Sequence, residues 1–173
     1  QANKISIRDL LIQPGATAYG IKAEDTGTFI SHLYLENLIV SGATNNFIIN
    51  NTVILTCAIN CSFESSTGAS LSIPGTATTT TTFYGCNFTQ GATQAVNAVT
   101  SAGITFRDCN FESTAPSATS FIELSSCQNV VFDRCNVEIP GGTITNAISL
   151  VTCVPARITS CHINGYNIPA RAA

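Results

Sequence analysis

Ile104-Thr-Phe-Arg-Asp-Cys-Asn-Phe111 returns 26 residues later as Val130-Val-Phe-Asp-Arg-Cys-Asn-Val137, and together they set a register that runs the length of the chain. The cassette stands again at Cys86-Asn87-Phe88. Its centre extends to Leu10, Leu38, Cys61, Cys86, Cys109, Cys135 and Cys161, at spacings of 28, 23, 25, 23, 26 and 26 residues. A unit recurring at that period is one supersecondary element stacked on its own copies. Seven turns of a solenoid are expected.

The other columns of the repeat agree. Two residues after the centre stand Ile12, Val40, Phe63, Phe88, Phe111, Val137 and Ile163; three before it stand Ile7, Leu35, Ala58, Phe83, Phe106, Phe132 and Ile158. All are apolar. The residue between centre and inward partner is polar from the third turn on (Ser62, Asn87, Asn110, Asn136, His162), giving the in-out-in alternation of a strand. In the first two turns Leu11 and Ile39 take that outward place, which predicts a covered surface there. A second apolar stretch precedes each cassette, as in Ala69–Ile73, Ala95–Val99, Phe121–Leu124 and Ala147–Val151. Two or three short strands per turn follow.

Helical repeats are excluded, because no segment keeps apolar residues at helical spacing and the periodic columns are β-branched and aromatic. Leucine-rich repeats share the period but need a leucine-asparagine signature that is absent. With the phrases at 104–111 and 130–137 and the related Leu33-Tyr-Leu-Glu-Asn-Leu-Ile-Val40, the chain resembles the pectate-lyase-like superfamily. That superfamily includes polysaccharide lyases, glycosidases and bacteriophage tailspikes. The resemblance covers essentially all 173 residues and implies an all-β fold, a right-handed parallel β-helix of about seven turns forming one domain over 1–173. It specifies the fold more than the chemistry.

Charged residues make up 10% of the chain, against about 25% in ordinary soluble proteins. Hydroxyls and amides must therefore cover the surface. Net charge is −3, and the seven Lys and Arg are scattered, so there is no basic stripe for a phosphate backbone and no nucleic-acid partner is expected. No run of eighteen apolar residues occurs, so no membrane insertion is expected. The chain lacks methionine and its register begins at Ile5, which reads as excision from a longer polypeptide.

Of the eight cysteines, five occupy the cassette column, while Cys127 and Cys153 lie eight residues before Cys135 and Cys161 and form a second short stack. Cys57 fits neither. Neighbouring rungs stand about 4.8 Å apart with side chains parallel, whereas a disulfide draws its β-carbons to about 3.8 Å. The column cysteines read as unpaired apolar fillers. No CxxC or Cys/His cluster has metal-ligand spacing, so no metal or other cofactor is expected. So many reduced thiols suit folding in a reducing cytoplasm.

Outward rows are where chemistry would sit. Glu112 and Glu138 fall three positions after the centre on adjacent turns, a carboxylate pair of the kind glycoside hydrolysis uses. Asp108 and Arg134 are rung neighbours one position before it, with Asp108 as a reserve acid. Asn110, Asn136 and His162 lie beside them, so that turns five to seven carry one polar wall suited to a sugar polymer, with Arg134 on a sugar carboxylate or hydroxyl. The bland alternative is a solvated glutamate pair and a surface ion pair. The chain has no Trp, and of Tyr19, Tyr34, Tyr84 and Tyr166 the expected stacking platform is Tyr84. Lyases of the superfamily bind calcium through clustered aspartates; Asp9, Asp25, Asp108 and Asp133 form no local cluster, which disfavours that activity. The threonines at 76–82 lie within one turn and read as a loop leading into a strand, not as an ice-binding array.

The expectation is a segment of a bacteriophage tailspike or tail fibre, resident in the virion and assembled in the host cytoplasm. It would bind, and if enzymatic hydrolyse, a bacterial surface polysaccharide. The tailspike resemblance implies a homotrimer, with Leu11 and Ile39 at a chain-chain contact. The alternatives are a structural shaft without a ligand and a secreted polysaccharide-degrading enzyme.

Overall fold

The computed structural model describes residues 3–15, 17–24, 30–50, 53–75, 80–89, 91–113, 116–141 and 144–165 of the 173. Tyr166, Asp25 and residues 76–79, all named above, lie outside them. The strands are β1 (Asn3–Ile12), β2 (Tyr19–Ala23), β3 (Ile30–Ser41), β4 (Asn45–Ile49), β5 (Val53–Ile59), β6 (Ser62–Glu64), β7 (Ala69–Ile73), β8 (Thr80–Tyr84) and β9 (Asn87–Thr89) in the first part of the chain. There follow β10 (Gln94–Val99), β11 (Ile104–Arg107), β12 (Asn110–Glu112), β13 (Ser120–Ser125), β14 (Val130–Asp133), β15 (Asn136–Ile139), β16 (Asn146–Val151), β17 (Ala156–Thr159) and β18 (His162–Gly165). Among the described residues there is no helix.

Every strand pairs in parallel with its counterpart one turn away, which makes the fold a β-solenoid with three faces. The first face runs β17-β14-β11-β8-β5-β3 and on to β1, and the second runs β3-β6-β9-β12-β15-β18, because β1 and β3 pass unbroken round the corner between them. The third is β16-β13-β10-β7-β4-β2. Two faces thus carry seven rungs and the third six, or about six complete turns. The seven units counted in the sequence are the seven rungs of the cassette faces.

The corner between the first two faces has a simple chemical cause. Asp9, Asn37, Asn60, Gly85, Asp108, Arg134 and Ser160 all adopt positive φ between 52° and 58°, one left-handed residue per turn. Asn, Asp and Gly tolerate that conformation, which accounts for most of the row. The bend leaves a carbonyl directed inward, and the cysteine that follows it answers: Cys61 Sγ donates to Ile59 O at 3.3 Å, Cys109 Sγ to Arg107 O at 3.3 Å and Cys135 Sγ to Asp133 O at 3.5 Å. A second left-handed row at Thr100, Ser126 and Thr152 is followed in the same way by Cys127 and Cys153, whose thiols reach Ser125 O and Val151 O. Cysteine here is a small filler that also satisfies a corner carbonyl. All eight are unpaired.

Inside, two phenylalanine rows interdigitate. Phe83, Phe106 and Phe132 stack from the first face, with centroids 5.1 and 5.0 Å apart. Phe63, Phe88 and Phe111 stack from the second, at 5.3 and 5.0 Å. The rows meet edge to face, as between Phe106 and Phe111 at 5.2 Å and 77°. Stacking within a row and T-contacts between rows are the two favourable arrangements of aromatic quadrupoles. One irregularity breaks the apolar column: Thr56 and Thr81, paired on β5 and β8, are buried with hydroxyls that find no hydrogen-bond partner. At the two ends of the described stack the inward residues Ile5, Leu10, Ile158 and Ile163 are exposed, since no described rung covers them.

Candidate functional site

The polar wall forms on the second face as the register requires. Asn110 pairs with Asn136 and Asn136 with His162, and Glu112 stands opposite Glu138, both exposed. Adjacent rungs hold the two glutamate backbones about 4.8 Å apart. Among the described residues no basic side chain pairs with either. Asn136 Nδ2 donates to Asn110 Oδ1 at 2.8 Å, so the half-buried amides form a short ladder below the exposed His162. The wall is a row of hydrogen-bonding groups, one per rung, along the second face.

At the corner beside it, Arg134 takes Asp108 in a two-pronged grip, Nε to Oδ1 at 2.7 Å and Nη2 to Oδ2 at 2.8 Å. Its third nitrogen, Nη1, donates to Asp133 Oδ2 at 2.9 Å, and Arg107 Nε lies 3.1 Å from the same oxygen. The hydrogen bonds from Arg134 lower the pKa of Asp108 below the ordinary carboxylate value, and Asp108 in turn raises that of Arg134. Asp108 therefore stands ionised at neutral pH. It is an acceptor there, better fitted to hold a hydroxyl than to give up a proton.

Tyr84 is half-buried on the first face, at the edge of a shallow cavity of about 320 Å³ that also takes in His32, Tyr34, Leu55, Cys57 and Thr82. Arg107 lies over its ring, with Cζ 5.7 Å from the centroid. A chain of contacts thus leads from Tyr84 through Arg107, Asp133 and Arg134 to Asp108, round the corner from the first face to the second. Leu11 and Ile39 are outward and exposed as the alternation requires, at 57% and 44%.

The sequence reading did not find Arg107, Asp133, Tyr34 or the cavity. Its columns followed the inward residues and the cassette itself, and left unread the outward row Tyr34, Cys57, Thr82, Thr105, Val131 and Arg157. The alternation Leu33-Tyr34-Leu35 held the signal. Cys57 also finds its explanation in this row: it follows no left-handed corner, and faces outward.

No family model, no curated protein and no solved structure matches the chain.

Proposed function

We propose that the chain is a carbohydrate-binding β-helix segment of the tailspike or tail-fibre kind, whose second face lies along a bacterial surface polysaccharide. The observation that carries this reading is the periodic polar lattice: Asn110, Asn136 and His162 at one-rung intervals, with Glu112 and Glu138 beyond them and the Asp108–Arg134 pair before them. A polymer of repeating sugars presents hydroxyls at a spacing of the same order as a β-rung, about 4.8 Å. Eight unpaired thiols support assembly in a reducing compartment, as a virion protein requires and a secreted enzyme does not. The exposed Leu11 and Ile39 supply an apolar strip for a homotrimer contact.

If the wall cuts the glycan, Glu112 and Glu138 are the acid and the nucleophile or base. Their backbones stand one rung, about 4.8 Å, apart, so both carboxyl groups can reach one glycosidic bond, as glycoside hydrolysis requires. Asn110, Asn136, Arg134, His162 and Tyr84 would position the chain. A rigid shaft without a ligand is favoured by one observation, that Glu112, Arg134, Glu138 and His162 of the wall are all exposed to solvent. Glycan-array binding with reducing-sugar release separates these readings. E112Q and E138Q are each expected to cut cleavage by about a hundredfold or more while leaving array binding intact. Wild-type protein that neither binds nor cleaves any glycan would leave the shaft.

A further inference from the structure

The cavity on the first face has an internal order that the polar wall does not explain. Three consecutive rungs line it, β3, β5 and β8, with β1 and β11 flanking them. On β1, Arg8 lies over the Tyr34 ring of β3, Cζ to centroid 4.9 Å; on β11, Arg107 lies over the Tyr84 ring of β8. The two guanidinium groups approach from the flanking rungs, which leaves each ring open on its β5 side; the rings are not in register, since Tyr34 pairs with Cys57 and Tyr84 with Ile59, two residues further along β5. There the side chains are small or aliphatic: Cys57 is paired with Tyr34 on one side and Thr82 on the other, and Leu55 stands between His32 and Thr80.

Charge and width narrow what fits. Each arginine is matched by an acid, Arg8 by Glu36 at 3.2 Å and Arg107 by Asp133 at 3.1 Å, and the cavity lining contains no Asp, Glu, Lys or Arg. The occupant is therefore uncharged. Tyr34 and Tyr84 stand two rungs, roughly 9.6 Å, and two residues, roughly 6.6 Å, apart, at opposite corners of the cavity; after van der Waals contacts of about 3.5–4.0 Å with each, a single ring fits and a second does not. The volume, about 320 Å³, is at the small end of the ~300–1,000 Å³ of small-ligand sites. Hydroxyls of Thr80 and Thr82 and the His32 imidazole border an otherwise apolar floor. An apolar face with a polar rim is the profile of a pyranose ring.

We propose that this cavity is a slot for one uncharged hexose ring, seated over Cys57 and bordered by Tyr34 and Tyr84 at opposite corners. The proposal rests on the carbohydrate reading above and adds to it a second subsite, on a different face from Glu112 and Glu138. Because Arg107 joins Tyr84 to Asp133 and Arg134, a branch seated in the slot would lie at the start of the contact chain that leads round the corner to the wall.

The test uses the whole chain with methyl glycosides of glucose, galactose, mannose and rhamnose as probes, read by saturation-transfer NMR and by iodoacetamide alkylation of Cys57 mapped by mass spectrometry. At least one glycoside is expected to take saturation from tyrosine ring protons and to slow alkylation of Cys57. Y34A and Y84A should each weaken it about tenfold, equivalent to ~1.4 kcal/mol; Y34F and Y84F, which keep the rings, should retain binding, and C57F should fill the slot and abolish it. Absence of both transfer and protection for all four glycosides would overturn the slot. So would protection by phenol with none by the sugars. A polysaccharide bound equally by wild type, Y34A and Y84A would overturn the slot and leave the wall reading standing, whereas methyl glycosides protecting Cys57 with every polymer inert would support the slot and remove the polysaccharide reading.

Discussion

Phe106 is the side chain on which the packed interior can be tested most directly. It is fully buried, stacked between Phe83 at 5.1 Å and Phe132 at 5.0 Å, and it meets Phe88 and Phe111 edge-on at 5.8 and 5.2 Å. Truncating a core phenylalanine to alanine costs about 3–5 kcal/mol in lost transfer and cavity energy. Two features put F106A at the upper end. Each aromatic pair adds about 0.5–1.5 kcal/mol beyond its area, and β8 and β14 are fixed on either side of β11 by ladder hydrogen bonds, so the walls of the cavity cannot collapse into it. A loss near 5 kcal/mol is expected, against a total of about 5–15 kcal/mol for a typical domain.

F106L retains most of the volume and is expected to cost about 1.5 kcal/mol. Urea unfolding followed by far-ultraviolet circular dichroism measures both. Because each rung contacts only its neighbours, a lesion at β11 weakens the coupling between the turns before it and those after it. The F106A transition should therefore broaden as well as shift. A loss below about 2 kcal/mol, less than a buried phenylalanine costs anywhere in a packed core, would refute the interdigitated phenylalanine rows.

Two smaller perturbations address the polar exceptions. Thr81 is buried with an unpartnered hydroxyl, and an orphaned group of that kind costs about 1–3 kcal/mol; T81V should raise the urea midpoint, and a fall would mean that the hydroxyl has a partner in solution. Asp108 has a depressed pKa, caused first by its hydrogen bonds from Arg134. Its contribution is therefore complete above the ordinary carboxylate value and lost as pH falls through the lower folded-state value. The midpoint difference between wild type and D108N should shrink over that acid range, and a difference that stays constant into strong acid would exclude the fork as its source.

How much of this was legible depended on whether a residue repeats. The cassette announced itself because the same inward places are filled by apolar residues on every turn, and a one-residue slip would have put those side chains in water. The pairing of Glu112 with Glu138 and the Asp108–Arg134 neighbours followed from register alone. The cavity did not. Its residues, His32, Tyr34, Leu55, Cys57 and Tyr84, come from outward rows that change identity from turn to turn, because nothing in the core constrains them. Only the folded register shows that two tyrosines, two rungs and two residues apart, border one gap. The left-handed corner was likewise hidden in a row read merely as outward, although Asn37, Asn60 and Gly85 are residues that such a bend selects.

That corner row also ranks the site residues. An L-residue in the left-handed region costs about 1–2 kcal/mol unless it is Gly or, to a lesser degree, Asn or Asp. Arg134 is the one long side chain among the seven, at φ 52°. Its grip on Asp108 is half exposed, and surface pairs return about 0–1 kcal/mol. The pair alone does not offset the backbone. Asparagine at 134 would suit the bend better, but it would give up the clamp that Arg134 places on both Asp108 and Asp133. Under the proposed function the same guanidinium, held by Asp108 and Asp133 through all three nitrogens, would present its remaining N–H groups to a sugar hydroxyl or carboxylate.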